Sequence, residues 1–146
     1  MAIGIKQVFR LAANMAVTSN ATLADVTGMS VAVTLGQKVH IRGQLLVTVG
    51  ATGGIRFQVL PSAAATTFSL GINLSNTVAP STALAFQAAT AAFTNALANA
   101  GNHFIDFEGD IVPSATGTIK LQFAQNTSDV LTGTLLLGSW METTVL

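Results

Sequence analysis

A short segment of alternating apolar and polar residues occurs twice in this chain, and the repeat restricts the folds that the chain can adopt. Residues 51–59 read ATGGIRFQV and residues 115–123 read ATGTIKLQF. Each copy starts with small residues around a glycine and then alternates apolar, basic, apolar, glutamine and apolar side chains. Alternation with a period of two is typical of a β-strand with one buried face. Each copy therefore predicts a turn that leads into a strand.

Each copy also follows another strand pattern. Residues 38–49 alternate and end in an almost continuous apolar run, and residues 103–112 also alternate. A strand, a short turn of small residues and a second strand predict a β-hairpin, so we expect hairpins at VTVGATGGIRFQV and DIVPSATGTIKLQF. Two hairpins with the same inward and outward pattern are what a two-layered antiparallel sandwich requires.

Strand patterns continue along most of the chain. Further strands are expected at residues 5–11, 30–34, 68–74, 130–137 and 139–146, and Gly28 is expected to close a turn. Residues 61–80 otherwise resemble loops. Short strands separated by closely spaced turns indicate a sandwich or barrel rather than βαβ units. The predicted fold class is therefore all-β, a two-sheet antiparallel β-sandwich with little helix.

Residues 82–100 allow two interpretations. The spacing typical of a helix separates four apolar residues, Phe86, Ala89, Phe93 and Leu97. The alternation typical of a strand places four residues on one face, Phe86, Ala88, Thr90 and Ala92. Because the surrounding segments are β, we favour a strand plus a loop, and a short helix remains the alternative.

The composition predicts one domain that associates with other proteins. The 146 residues fit a single β-sandwich domain over 1–146, with 1–16 as a candidate N-terminal arm. Only 8% of residues are charged, against about 25% in ordinary soluble domains, and the net charge is zero. Such a surface tends to self-associate, so we expect a dimer or trimer. The sequence lacks the basic patch of a nucleic-acid-binding protein, so we expect no nucleic-acid partner. No apolar run reaches the roughly 18 residues of a membrane helix, so we expect no membrane partner.

Two sets of charged residues alternate along predicted strands and carry opposite signs. The basic ladder consists of Lys38, His40 and Arg42, and the acidic ladder consists of Asp106, Glu108 and Asp110. Alternate residues of a strand share one face, about 7 Å apart, so each ladder left alone would repel itself. We expect the two ladders to pair, within a sheet or between subunits, and to fix the register of that contact.

Catalytic and metal-binding interpretations of the same residues are weaker. The acidic ladder could ligate a hard cation or supply two carboxylates for glycoside hydrolysis. However, calcium prefers loop geometry, and the sequence has no tyrosine and one tryptophan, Trp140, as a platform for sugar. The absence of cysteine excludes thiolate chemistry, and no G-x-S-x-G motif is present. We expect no enzyme activity, catalytic residue, cofactor or metal.

The last third of the chain resembles a known family. GTIKLQFAQNTS at residues 117–128, followed by a strand and Gly138-Ser139-Trp140, is similar to a module of tailed-bacteriophage virion proteins. The order of motifs in the N-terminal half, LADVTGM at residues 23–29 and ATGGIRF at residues 51–57, is similar too. The family often carries a tyrosine near the position of His40, which this chain lacks.

The resemblance implies a jelly-roll-like sandwich on the outer surface of a phage particle, made in the host cytoplasm and commonly oligomeric. Because the chain is short and starts with methionine, we expect a stand-alone head decoration or cement protein. Its partners would be sister subunits and the major capsid protein or other virion proteins. The alternative is a carbohydrate-binding host-recognition module of a tail fibre or spike, which exposed aromatic rings at Phe68 or Phe86 would favour.

Overall fold

The computed structural model describes residues 4–50, 52–76, 83–87, 92–95 and 101–146. These residues contain no helix, and all their strand pairings are antiparallel. The strands are β1 (Ile5–Arg10), β2 (Met15–Val17), β3 (Ala24–Val33), β4 (Val39–Val49), β5 (Ile55–Pro61), β6 (Ala65–Asn76), β7 (Ala83–Gln87), β8 (Phe93–Asn95), β9 (Gly101–Pro113), β10 (Gly117–Ala124), β11 (Gly133–Leu135) and β12 (Trp140–Val145).

The strands form two sheets that confirm the predicted all-β sandwich. The larger sheet has eight strands in the order β1-β12-β4-β9-β6-β7, with β11 joining β4 and β2 joining β11. The smaller sheet has four strands in the order β3-β10-β5-β8. The described residues contain no helix long and apolar enough to cross a membrane.

The core lies between the sheets and is built from alternate residues of each strand. On β4, Ile41, Leu45 and Val47 are fully buried. From the smaller sheet, Phe57 and Phe123 face them and are also fully buried. Burying one such side chain contributes about 1.5–3 kcal/mol, so the period-two pattern positions both layers.

The turn at the start of each repeated segment crosses from the larger sheet to the smaller one, so the prediction of two hairpins is wrong. β4 lies in the larger sheet and β5 in the smaller one, and β9 and β10 are divided in the same way. The repeated strands β5 and β10 pair with each other, with Gln58 opposite Gln122 and Phe57 opposite Phe123. A hairpin and a crossing need the same alternation and a short turn, so the sequence pattern does not distinguish them. The repeat arises because both copies occupy equivalent positions in the sandwich.

Gly28 does not close a turn as expected. β3 runs through it from Ala24 to Val33, and residues 26–29 stand opposite Leu121 alone, between the pairs Asp25–Gln122 and Ser30–Lys120. This is a β-bulge, and glycine adopts its positive φ of 81° at little cost. A bulge and a turn both favour glycine, which explains the wrong prediction.

Residues 61–76 contain more strand than expected. β6 covers twelve residues, with Phe68, Leu70 and Ile72 buried and small or polar residues between them. Those small and polar residues resemble a loop in composition but face outward from the sheet. In the segment 82–100, the structure has β7 and β8, and the rest of that segment lies outside the described residues.

Both ends of the chain contribute to the larger sheet. The candidate N-terminal arm, residues 1–16, contains β1 and all of β2 except its last residue, Val17. Strand β1 pairs with β12 along its length. The strand expected at residues 130–137 is reduced to β11, and Val130 and Leu131 before it are exposed. The closing strand expected at residues 139–146 is present as β12.

Candidate functional site

The two charged ladders lie side by side on the outer face of the larger sheet. β4 and β9 are adjacent, with His40 opposite Asp110 and Arg42 opposite Glu108. Odd-numbered residues of both strands point mainly into the core, so the even-numbered residues, including the ladders, point outward. The alternation in the sequence placed each ladder on one face of its strand, and the register of β4 with β9 brings the two ladders together.

Three close contacts join the ladders within one chain. Lys38 Nζ lies 3.0 Å from Asp110 Oδ2, and His40 Nδ1 lies 3.0 Å from Asp110 Oδ1. His40 Nε2 lies 3.1 Å from Glu108 Oε1. The hydrogen bond with His40, aided by Lys38, lowers the pKa of Asp110 against the opposing effect of desolvation.

Arg42 and Asp106 contact residues outside the ladders. Arg42 stands between Glu108 on β9 and Glu142 on β12, and its Nε donates to Glu142 Oε1 at 3.0 Å. Glu142 also contacts Lys6 Nζ at 2.7 Å, and the hydrogen bonds from Lys6 and then Arg42 lower the pKa of its carboxyl group. Asp106 Oδ1 accepts a hydrogen bond of 2.9 Å from Gln44 Nε2.

These partners were not predicted from the sequence, although the alternation along β12 contains part of the information. Trp140, Glu142 and Thr144 alternate with buried Met141 and Thr143, which assigns Glu142 to an outward face. That β12 lies next to β4 could not be read from the pattern, because the two strands are far apart in the sequence.

An open groove of about 410 Å³ runs across the outer face and is lined in part by residues of both ladders. It crosses β12, β4, β9 and β6 and is lined by Arg42, Gly43, Gly71, Ile72, Asn73, Asp106, Phe107, Glu108 and Trp140. Gly71 faces outward, and an added Cβ there would meet only the backbone oxygen of Glu108, at 3.6 Å. The missing side chain at Gly71 therefore leaves the space that the neighbouring side chains surround.

The other residues considered as metal ligands or as sugar-binding aromatic rings, as far as the structure describes their side chains, do not line this groove. His103 is buried, 1% exposed, on the inward parity of β9, away from the acidic ladder that follows it. In the described part of the chain, no group of three or more histidines and carboxylates could hold a metal ion. Phe68 is 7% exposed and belongs to the core, and the side chain of Phe86 lies outside what the structure describes.

Comparisons with known proteins bear on the fold. No family model matches this sequence, and no curated protein matches it significantly. Among solved structures, the chain is similar to Eiger TNF from S. frugiperda, with a TM-score of 0.51 and 10% identity over 99% of this chain and 94% of that chain. The fold is jelly-roll-like. At this identity the similarity shows the fold alone.

Two chains from virus structures are more distant. One, from the Gx strain of infectious bursal disease virus, has a TM-score of 0.37 and 13% identity, and the match covers 99% of this chain but 38% of that one. The other, from the Gt strain, has a TM-score of 0.26 and 10% identity over 97% and 37% of the two chains. TM-scores this low carry no argument about this protein.

Proposed function

We propose that this protein is a structural subunit of a tailed-bacteriophage virion, and that it decorates or cements the outside of the head. The observation that carries the proposal is the resemblance of residues 117–128 and 138–140 to that class of virion module. A jelly-roll-like sandwich provides a suitable rigid body for such a subunit. In this proposal the protein is made in the host cytoplasm and then binds the particle.

Apolar side chains at one edge of the larger sheet supply a surface for protein contacts. Ile5 is 67% exposed and Val8 is 48% exposed on β1, and Leu146 beyond the end of β12 is 58% exposed. Within the described residues, β1 ends the strand order of its sheet. β1 is a six-residue edge strand that also carries Lys6 and Arg10, and an exposed strand edge can pair with another protein. We assign this edge to sister subunits in a dimer or trimer, with the major capsid protein as the further partner.

The charged ladders have a different role in this proposal. Their contacts join β4 and β9 of the same chain, and a slip of one residue would turn the charges toward the core. We therefore propose that they stabilise this strand register and do not form an interface between subunits. This structural role requires no catalysis, cofactor or metal ion, and no contact with nucleic acid or membrane.

Immunogold electron microscopy of intact particles tests the proposed location. An antibody against this chain should label heads at many regularly spaced sites, since decoration subunits follow the lattice of the shell. Particles that lack the protein provide the matched control. Labelling confined to the tail would instead support the alternative, a host-recognition module, for which the groove on the outer face is the favouring observation. Particles without label would overturn both assignments.

A further inference from the structure

The groove on the outer face combines an aromatic side chain, two carboxylates and an amide. We propose that it binds a neutral saccharide, with one ring packed against Trp140 and its hydroxyl groups hydrogen-bonded to Asp106, Glu108 and Asn73. The volume of about 410 Å³ lies in the range of small-molecule sites and is suitable for one or two sugar rings. This inference concerns the isolated chain and does not depend on whether the protein is on the head or the tail.

Trp140 provides an apolar platform at one end of the groove. It is the single tryptophan of the chain, it is half-buried, and it faces outward from β12. An aromatic ring with one exposed face can pack against the C–H groups of a sugar ring, which are its apolar side. The groove surface as a whole is more apolar than polar, which suits the same apolar side.

Polar groups follow the groove in two neighbouring rows across the sheet. Asn73 is opposite Asp106 in one row, and Gly71 is opposite Glu108 in the next. Gln44, which contacts Asp106, is opposite Trp140. In this row Trp140 on β12 is two strand spacings from Asp106, about 10 Å, and three from Asn73, about 14 Å, so a sugar ring above the row can reach all three. Carboxylates accept hydrogen bonds from sugar hydroxyls, and the amide of Asn73 can donate and accept.

Contacts with residues outside the groove hold these groups in place. Asp106 Oδ1 is hydrogen-bonded to Gln44, Glu108 Oε1 lies 3.1 Å from His40, and Arg42 is hydrogen-bonded to Glu142. The contacts with Gln44 and His40 use one oxygen of each carboxylate, Oδ1 of Asp106 and Oε1 of Glu108. Side chains fixed before binding lose less conformational freedom when a ligand binds.

The charges of the groove select the class of ligand. Asp106 and Glu108 both line it, and the guanidinium of Arg42, the cation in the lining, is paired with Glu142. An anionic ligand would be repelled by the two carboxylates. A neutral saccharide supplies many hydroxyl donors without that cost, so it is the favoured occupant.

Tryptophan fluorescence provides a direct test, because the chain has no other tryptophan and no tyrosine. The intact protein is titrated with methyl glycosides of glucose, galactose, mannose and rhamnose and with N-acetylglucosamine, up to about 100 mM, since single sugars bind weakly. Sialic acid and galacturonic acid are the anionic probes. We expect saturable changes in the emission of Trp140 with at least one neutral sugar, and weaker or absent changes with the acids.

Three variants connect the signal to the groove. Asp106→Asn keeps an oxygen that accepts from Gln44 but removes the charged acceptor, and Asn73→Ala removes the amide. Each should raise the Kd of the bound sugar about tenfold. Asp25→Asn is the control, because Asp25 is also a strand carboxylate hydrogen-bonded to a glutamine, Gln122, and to Lys120, but lies on the smaller sheet. It should leave the Kd unchanged, and thermal melting checks that each variant is folded.

Several outcomes would overturn the proposal. These are the absence of a saturable signal with every neutral sugar, an affinity that both groove variants leave unchanged, and tighter binding of the anionic probes. A loss of affinity in Asp25→Asn equal to that in Asp106→Asn would also overturn it, because the effect would then not be specific to the groove. Immunogold labelling measures location alone, so this inference and the proposed function can fail separately.

Discussion

Asp110 shows how neighbouring strands arrange the few charges of this chain. It contacts both Lys38 and His40 from the adjacent strand, and these contacts lower its pKa. The side chain remains partly exposed, 35% by area, so solvent screens much of the interaction. We therefore expect the pairs to contribute mainly to register and only modestly to stability.

We expect Asp110→Asn to reduce the free energy of unfolding by about 0.5–1 kcal/mol at neutral pH. Because the pKa of Asp110 is lowered by folding, the carboxylate stabilises the protein above the unfolded pKa of about 4. That contribution is lost as the pH falls through the lower, folded pKa. Urea unfolding of both proteins at neutral pH and at about pH 2 should give free energies that converge in acid.

Asp106→Asn is the control for this comparison of stabilities, since the carboxylate of Asp106 is hydrogen-bonded to the neutral amide of Gln44. Its loss of stability at neutral pH should be smaller than that of Asp110→Asn. A deficit in Asp110→Asn that is just as large in acid would show that the ion pairs are not its cause.

At the scale of the strand, β6 and β9 approach each other closely at Gly109. An added Cβ there would clash with the backbone oxygen of Ser69 and lie 2.8 Å from the Cα of Leu70. Backbone atoms of a paired strand cannot move aside as a flexible side chain can. At Gly71, on the other strand of the same pair, an added Cβ would meet only the backbone oxygen of Glu108, at an ordinary contact distance of 3.6 Å.

We expect Gly109→Ala to destabilise the protein by about 1–3 kcal/mol, since the added methyl group would force two hydrogen-bonded strands apart. Gly71→Ala should change stability by less than about 0.5 kcal/mol, because the nearest atom to the new Cβ is at ordinary contact distance. Chemical denaturation of the two variants beside the parent measures the difference. Equal stability of the two variants would contradict the close approach of β6 and β9.

At the scale of the whole molecule, the exposed large apolar side chains of the described residues lie on the edge strand β1, at the C-terminus and in turns or loops. Ile5 and Val8 lie on β1, Leu137 is in the turn before β12, and Leu35 lies in the turn between β3 and β4. With few charged residues to keep copies apart, the β1 edge is the surface that we expect to associate.

We expect the purified protein to sediment as a dimer or trimer at tens of micromolar, and Val8→Lys to shift it toward monomer. A lysine on an edge strand costs energy when a second strand covers it. Leu35→Lys provides the control, because Leu35 is 61% exposed but lies in a turn instead of on the β1 edge. A monomeric parent protein, or equal effects of the two substitutions, would show that β1 is not the association surface.

The sequence by itself determined the fold class and the faces of the strands. Alternation along residues 38–49, 55–59 and 103–112 assigned the inward and outward residues correctly, because a period of two is a local property of the backbone. The charged ladders were recognised for the same reason. Gly28 was misread because a bulge and a turn both suit glycine, so a local pattern could not separate them.

Only the tertiary structure decided which strands are neighbours. The division of β4 and β5 between two sheets, the pairing of β5 with β10 and the position of β12 beside β4 depend on packing among distant segments. That packing gave Arg42 its contact with Glu142 and brought Trp140 into one groove with Asp106 and Asn73. The physical reason is that alternation specifies which face a side chain is on, whereas the free energy of burying two whole layers against each other selects the partner strand.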